Sequence, residues 1–359
     1  MDFFEKVYIV ARCCPDSNKN LSNARLVEGN GVSVIPLTDY QGPLQYLNKS
    51  RKIFKQIKDI DVKNKTIILR APGQLSNIFY NKIKNSNTSY SVELVGDPYD
   101  VFATKYNIIK LFFRYNFYLK TKEMTKNATA VSYVTERALQ KRYSTNGYSI
   151  NISSVNLPRE FIAQNPKTFS NHELKNNINI ISIGGMDQMY KGFDILLNAF
   201  NLLIKKVPHA TLTIIGDGIH KSKLEDLANY LGLGNNVLFT GQVQSGEGIR
   251  SYLNKSDLFV LASRTEGLPR VIIEAMAVGL PCIGTRVGGI PELLDEDCLV
   301  EPDNIQDLYL KIVKMVSDIS IMNQLSKHNI KQALKYEDSV LKEKRIQFFK
   351  EALGNERKM

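Results

Sequence analysis

Two glutamates, Glu266 and Glu274, stand eight residues apart on either side of a Gly-Leu-Pro turn. Residues 257–262 have the apolar pattern of a buried strand and residues 271–277 the spacing of a helix. In an open parallel sheet such a loop faces the ligand crevice, and the N–H groups that begin the next helix suit a phosphate. A carboxylate there can accept hydrogen bonds from sugar hydroxyls. The pattern predicts a site for a phosphorylated sugar compound, and two ordinary surface glutamates are the simpler alternative.

The elements that must position these glutamates alternate regularly between strand and helix. Repeats of this length imply parallel sheets covered by helices on both faces. We therefore predict an α/β fold of two doubly wound, Rossmann-like domains that face each other across a cleft. The predicted strands are 7–11, 32–36, 66–69, 91–95, 130–134 and 153–157 in the first half, and 179–183, 210–215, 237–241, 258–262 and 281–284 in the second.

The chain of 359 residues is long enough for two domains that each bury a core. The polar stretch 163–177 lacks periodicity and is predicted to be the linker. We place an N-terminal domain at 1–165 and a C-terminal domain at 175–335, with two helical stretches after Asp303.

Cysteine spacing and hydropathy argue against several classes of protein. The four cysteines form no C-x-x-C pair and have no histidine at zinc-ligand spacing, so neither a disulfide framework nor a zinc site is expected. The Asp59-Ile-Asp61 triplet trails a helical run, so it indicates a helix end more than a metal site. No run of about 18 apolar residues occurs, and the first residues lack a signal-peptide pattern. We expect a cytoplasmic protein without a metal or cofactor.

The net charge of +11 is concentrated in the first half of the chain. Residues 1–170 carry 25 Lys and Arg against 13 Asp and Glu, whereas residues 171–359 carry 22 against 23. No nucleic-acid-binding motif accompanies this charge, and we expect no nucleic-acid partner. The most basic stretch, 105–122, is rich in aromatic residues and suits an anionic membrane surface at the inner face of the cytoplasmic membrane. A core helix with a solvated basic edge is the alternative.

Several motifs together resemble those of a known enzyme family. Residues 266–294 (EGLPRVIIEAMAVG followed by LPCIGTRVGGIPELL) are similar to the donor-site signature of retaining glycosyltransferase family 4, which has the GT-B fold. Residues 184–192 resemble its Gly-x(5-7)-Lys-Gly diphosphate motif, 216–218 its Gly-x-Gly turn and 237–241 its base-side strand. The order of the motifs also matches. The resemblance is strong over 178–303 and weaker in the first half.

The resemblance implies roles for individual residues. Lys191 would neutralise the diphosphate, Glu274 would hold the ribose and Glu266 would face the transferred sugar. Asp97 ends a strand where the family places a His or Asp near the reacting sugar, and capping the turn before Pro98 is its alternative role. The remaining donor-binding candidates are Gly184, Gly185, Gly241, Gly267, Leu268, Pro269, Arg270 and Val271.

The chain departs from the family pattern at two places. The family often has an arginine where this chain has Gly185, and Arg264 or Arg270 could supply that charge. Residues 13–20 replace the N-terminal Gly-Gly loop of the family.

On the acceptor side the candidates are Arg70, Lys110 and Arg114. The resemblance also implies that the last helix, about 337–359, crosses back to the N-terminal domain.

The resemblance implies a retaining glycosyltransferase, of the type that builds bacterial surface polysaccharides. It would move a hexose-type sugar from a UDP-, GDP- or ADP-sugar, with UDP favoured, to a glycan or lipid-linked acceptor. A sugar-nucleotide epimerase of similar fold and a non-catalytic sugar-nucleotide-binding protein are the alternatives. A dinucleotide-dependent oxidoreductase is disfavoured because no G-x-G-x-x-G follows the first strand.

Overall fold

A computed structural model describes residues 4–14, 26–40, 42–86, 88–101, 108–170 and 177–354. Within these ranges the named strands form three parallel sheets: a pair, a four-stranded sheet and a six-stranded sheet. The strands are β1 Val7–Cys13, β2 Val32–Thr38, β3 Ile67–Ala71, β4 Tyr90–Leu94, β5 Ala130–Tyr133, β6 Tyr148–Asn151, β7 Asn179–Ile183, β8 Thr211–Ile215, β9 Val237–Gly241, β10 Leu258–Leu261, β11 Cys282–Thr285 and β12 Leu299–Val300.

Helices connect these strands. They are α1 Gly42–Asp59, α2 Gln74–Ile83, α3 Pro98–Val101, α4 Ile108–Lys126, α5 Ala138–Arg142, α6 Phe193–Ile204, α7 Lys221–Tyr230, α8 Glu247–Asn254, α9 Arg270–Ala277, α10 Ile305–Ser317, α11 Ile319–Ala333 and α12 Asp338–Leu353. Alternating parallel strands and helices confirm the predicted α/β architecture.

The six-stranded sheet has the order β12-β11-β10-β7-β8-β9. The chain runs outward from β7 through β8 to β9, then returns to β7's other side with β10. A crevice therefore opens at the carboxyl ends of β7 and β10, where the strand order reverses. Every residue of β10 is buried, as expected for a central parallel strand covered on both faces.

In the first half, β3, β4, β5 and β6 form one sheet in that order, and β1 pairs with β2 beside it. A small core lies under the pair, made by Leu37, Tyr40, Ile53, Ile57 and Ile78. The larger core is continuous from the four-stranded to the six-stranded sheet. The two halves therefore pack directly against each other.

The predicted strand at 153–157 is wrong, because the strand is β6, five residues earlier. Val155 and Leu157 are buried alternately, which mimics a strand pattern. Their backbone, however, bonds outside any sheet: Leu157 N–H donates to Asp338 Oδ1 at 2.8 Å and its carbonyl accepts from Asp338 N–H at 3.0 Å. The sequence also missed the short β12, and three helices rather than two follow Asp303.

The last helix, α12, packs on β5 and β6 of the first half. Lys344 Nζ lies 3.2 Å from Asn151 Oδ1, and an Arg345 guanidinium nitrogen lies 3.4 Å from the Ser153 carbonyl. The predicted linker is anchored to the second half, where Lys167 N–H donates to Ser326 Oγ at 2.8 Å. Its residues 171–176 lie outside the described ranges, and the proposed domain limits stay a prediction.

Candidate active site

Lys191 and Glu266 meet at the crevice between β7 and β10. Lys191 ends a 3-10 turn after β7, and Glu266 lies on the loop after β10. Gly192 has a φ of +67° and packs against the backbone of Ala262. A Cβ at position 192 would lie 1.9 Å from the Ala262 carbonyl oxygen. Only glycine allows this contact, which brings the two loops together.

The two side chains form a nearly buried ion pair. Lys191 Nζ lies 2.7 Å from Glu266 Oε1, and the Ser263 hydroxyl donates to the same oxygen at 2.6 Å. The lysine and glutamate side chains are 12% and 8% exposed. A diphosphate that enters the crevice must therefore compete with Glu266 for the ammonium group.

Glu274 lies in the second turn of α9, with its carboxylate half-buried. Burial raises the pKa of this carboxyl above its ordinary value, and the nearby Arg270 charge partly opposes that shift. No residue in the described ranges donates a hydrogen bond to the Glu274 carboxylate. Its oxygens are thus available to hydroxyl donors such as those of a ribose.

Arg264 and Arg270 differ in how they are held. The Arg264 guanidinium forms a two-point ion pair with Asp194 at 3.0 and 2.8 Å and a third contact with Asp303 at 2.6 Å. These carboxylates raise its pKa further. Arg270 begins α9 and is exposed. Arg264 therefore fastens the loop after β10, and Arg270 is the more available cation.

A cleft of about 490 Å³ opens at the carboxyl ends of β7, β8 and β9. Nothing lies within 4 Å of a Cβ built on Gly185, so this position leaves room where the family often has an arginine. The cleft is lined by Ile183, Gly184, Gly185, Asp187, Ile215, Gly216, Asp217, Gly218, Gln242, Val243 and Ile249. Gly241 ends β9 directly before this lining.

A smaller cavity of about 120 Å³ lies between the two halves. A Cβ on Gly267 would come within 2.9 Å of the Val95 carbonyl oxygen, so the close approach of the halves requires glycine there. The first half contributes Asp97, Thr135, Ala138, Leu139 and Arg142, and the second half contributes Glu266, Gly267, Gly288 and Gly289. Leu268 and Pro269 are buried behind this loop, and Val271 is half-buried on α9.

Asp97 is buried and fully engaged at the edge of this cavity. Its Oδ1 accepts from Tyr99 N–H at 2.9 Å and from the Tyr143 hydroxyl at 2.6 Å, and its Oδ2 pairs with the Arg142 guanidinium. Burial, together with the Asp97 carboxylate, raises the pKa of Tyr143. Asp97 thus caps its own turn and also faces the second half. The sequence analysis did not predict Arg142 as a site residue. The one feature that could have indicated it is its position as a basic residue at the end of the helix after β5.

Two predicted acceptor-side residues, Arg70 and Arg114, do not line either cavity. Arg70 is 63% exposed and pairs with Glu93 on the adjacent strand at 3.2 Å. Arg114 Nε donates to the Tyr99 carbonyl at 2.7 Å, and its guanidinium lies 3.6 Å from the Tyr99 ring centre. Lys110 lies in α4, but its side chain is outside what the structure describes. The same holds for residues 15–20 of the loop that replaces the Gly-Gly motif, and for residues 105–107 of the basic stretch.

Among the described residues, no group of three or more His, Cys, Asp or Glu side chains is placed to hold a metal ion. Asp59 ends α1, and Asp61 pairs with Lys65 at 2.6 Å, which confirms that this triplet marks a helix end. In the same part of the chain, every helix is too short or too polar to cross a membrane.

The chain is similar to several known proteins. Residues 177–318 match the profile described as "Glycosyl transferases group 1". The chain is 26% identical to Protein CapJ of Staphylococcus aureus over 334 residues, 92% of this chain and 81% of that protein.

Two solved structures share the fold. Sucrose-phosphate synthase from Thermosynechococcus elongatus has a TM-score of 0.75 at 18% identity, covering 96% of this chain and 88% of its own. Anabaena Alr3699/HepE in complex with UDP-glucose has a TM-score of 0.63 at 18% identity, covering 89% and 85%. The chain therefore shares the GT-B fold of these structures, and its residues 177–318 are similar to the group 1 glycosyltransferases.

Proposed function

We propose that this protein is a retaining glycosyltransferase that moves a hexose-type sugar from a UDP-sugar to a glycan or lipid-linked acceptor in bacterial surface-polysaccharide synthesis. The observation that carries the proposal is the Lys191–Glu266 ion pair, 2.7 Å long, at the reversal point of the six-stranded sheet. It places a cation and a carboxylate together where parallel α/β sheets bind phosphorylated ligands.

The donor is assigned to the crevice and the cleft beside it. Lys191 and Arg270 would balance the diphosphate charge, and Glu274 would accept hydrogen bonds from the ribose hydroxyls. The volume of about 490 Å³ at β7, β8 and β9 suits the nucleoside. HepE, which shares the fold, has been crystallised in complex with UDP-glucose. This supports a UDP-sugar as the donor.

The transfer itself is mainly an electrostatic task. The bond between the anomeric carbon and the leaving phosphate oxygen breaks, and the acceptor oxygen bonds to the same face of that carbon. The acceptor proton moves to a phosphate oxygen, so no protein base is needed. Negative charge grows on the diphosphate and positive charge on the sugar, which Lys191 and Glu266 respectively stabilise.

A basic, partly apolar face formed by α1 and α4 would meet the membrane. Both helices pack against α2 of the first half. On α1, Leu44, Leu47 and Phe54 are 79%, 64% and 47% exposed. Exposed Lys49, Arg51, Lys52, Lys55 and Lys58 accompany them. On α4, Leu111 and Tyr115 are also exposed. Apolar contact combined with positive charge is what an anionic lipid surface attracts.

A label-transfer assay tests the proposed function. A glycosyltransferase moves the sugar of a labelled UDP-sugar to an acceptor and releases UDP. An epimerase returns a changed sugar nucleotide without any acceptor, and a binding protein returns the donor intact. The assay therefore separates the three readings in one experiment.

A further inference from the structure

Glu292 connects the two halves of the molecule at one short helix. It ends a 3-10 turn in the second half and reaches the N-terminus of α5 in the first. Its Oε2 accepts from Glu136 N–H at 2.5 Å, and its Oε1 accepts from Arg137 N–H at 2.9 Å and from Ala138 N–H at 2.6 Å. Three hydrogen bonds to one carboxylate are formed only when the halves are together.

Helix α5 depends on this contact. It has only five residues, and Arg137 at its N-cap position supplies no side-chain cap. The Thr135 hydroxyl accepts from Leu139 N–H at 3.0 Å. Glu292 therefore accounts for three N–H groups at this helix start that the helix itself cannot pair. A carboxylate at this end also interacts favourably with the helix dipole.

The same helix carries the first half's side of the cavity between the halves. Ala138, Leu139 and Arg142 line that cavity, and Arg142 at the end of α5 pairs with Asp97. On the opposite side, Gly289 N–H donates to the Gly267 carbonyl at 2.6 Å, three residues before Glu292. The segment 289–292 of the second half thus hydrogen-bonds to the Glu266 loop through Gly289 and to the start of α5 through Glu292.

We propose that Glu292 is a positioning residue for glycosyl transfer: its carboxylate clamps α5 across the cleft and so holds Arg142 and Asp97 opposite Glu266. This inference rests on the proposed function. Glu292 is not among the residues that line the nucleotide cleft, all of which lie between Ile183 and Ile249. The clamp therefore affects the closed arrangement and the chemical step, and not nucleotide binding.

The test compares the full-length chain with Glu292→Gln, Glu292→Asp and the control Glu296→Gln. Glu296 lies four residues further on and pairs with Arg286 at the surface, and its side chain is 75% exposed. The measurements are the UDP dissociation constant by calorimetry, kcat and KM with UDP-glucose, the melting temperature, and the radius of gyration of the UDP complex in solution.

In Glu292→Gln the amide NH₂ group replaces a carboxylate oxygen and cannot accept hydrogen bonds from the N–H groups at the start of α5. The position of α5 is then no longer fixed, and we expect kcat to fall about 10-fold or more. The UDP dissociation constant should stay within about 2-fold and the radius of gyration should rise. Glu292→Asp keeps the charge and should recover part of kcat, while Glu296→Gln should match the wild type.

The proposal is overturned if Glu292→Gln leaves kcat and the radius of gyration unchanged, or if UDP affinity and melting temperature fall together with kcat. A Glu292→Asp variant no better than Glu292→Gln would also contradict it. If the wild type turns over no donor, the proposed function fails, but the radius of gyration still decides whether Glu292 closes the cleft.

Discussion

Replacing Glu266 by Gln should affect the nucleotide-free protein and the UDP complex in opposite directions, because Lys191 has a different partner in each. Without nucleotide, the Lys191 ammonium group is held by Glu266, with both side chains about nine-tenths buried. With a diphosphate present, the ammonium group is assigned to the phosphates. Glu266→Gln therefore removes a competitor for Lys191 while keeping the size of the side chain and an oxygen that can accept from Ser263.

The magnitude follows from burial. Removing one partner of a fully buried pair costs about 3–5 kcal/mol, because the other charge is left uncompensated. Lys191 faces an open crevice and the glutamine oxygen still accepts a hydrogen bond, so we expect a smaller loss of stability, about 1–2 kcal/mol. UDP restores a counter-charge. Most of the stability lost by the free variant should therefore be regained when UDP binds. The variant should bind UDP about 5- to 10-fold more tightly than the wild type.

Calorimetry with UDP and thermal unfolding measure these effects. We expect Glu266→Gln to lower the melting temperature of the free protein, to enlarge the stabilisation by UDP, and to lower kcat, because the carboxylate facing the sugar is gone. The control is Glu301→Gln, since Glu301 likewise pairs with a basic residue of the second half, Arg286, but its side chain is 61% exposed. A lower UDP affinity in Glu266→Gln would mean that Glu266 does not compete with the diphosphate for Lys191.

Four further predictions follow from the site. Glu274→Gln should weaken UDP binding yet raise the melting temperature of the free protein near pH 7 to 8. Folding raises the pKa of the Glu274 carboxyl, so its charged form destabilises the folded protein at a pH above that pKa. The increase in melting temperature of Glu274→Gln should therefore vanish as the pH falls and the wild-type carboxyl becomes protonated. An unchanged or lower melting temperature near pH 7 to 8 would contradict this. Arg270→Ala should reduce kcat/KM about 10-fold or more, equal to at least about 1.4 kcal/mol, and an unchanged rate would exclude Arg270 from phosphate binding. Activity should survive EDTA, because Lys191, a nearby arginine and backbone N–H groups are assigned to the phosphate charge; loss of activity that manganese restores would overturn that assignment. Replacing Arg51, Lys52 and Lys55 of α1 with Gln should weaken binding to anionic vesicles at low salt and leave UDP affinity unchanged, whereas vesicle binding indifferent to salt and to charge would reduce this face to a solvated surface.

The parts of the site that are local in sequence could be predicted. A buried strand, a Gly-Leu-Pro turn and a helix fix Glu266 and Glu274 in relation to each other, because the chain between them is short and its periodicity is clear. Lys191 and Gly192 likewise follow β7 as the diphosphate motif requires. Gly192 is the glycine of that motif, and its close approach to the Ala262 carbonyl explains why no larger residue fits there.

The parts that depend on packing between distant segments could not be predicted. The Lys191–Glu266 pair joins residues 75 positions apart, and Glu292 reaches α5 across 154 to 156 positions. Arg264 was a candidate for phosphate, but Asp194 and Asp303 hold it, and nothing in the local pattern reveals those partners. The error at residues 153–157 has the same origin, because burial alternates there while the backbone bonds to α12.

Transfer of label from a UDP-sugar tests the proposed glycosyl transfer most directly. Purified protein is incubated with labelled UDP-glucose and other labelled UDP-sugars, together with bacterial lipid-linked glycan acceptors, and compared with Lys191→Ala. We expect that one UDP-sugar gives label in the acceptor fraction with matching release of UDP. Lys191→Ala should lower this rate about 100-fold or more, because a main stabiliser of the leaving group is lost. Transfer at the wild-type rate without Lys191, or conversion of the UDP-sugar without any acceptor, would contradict this expectation.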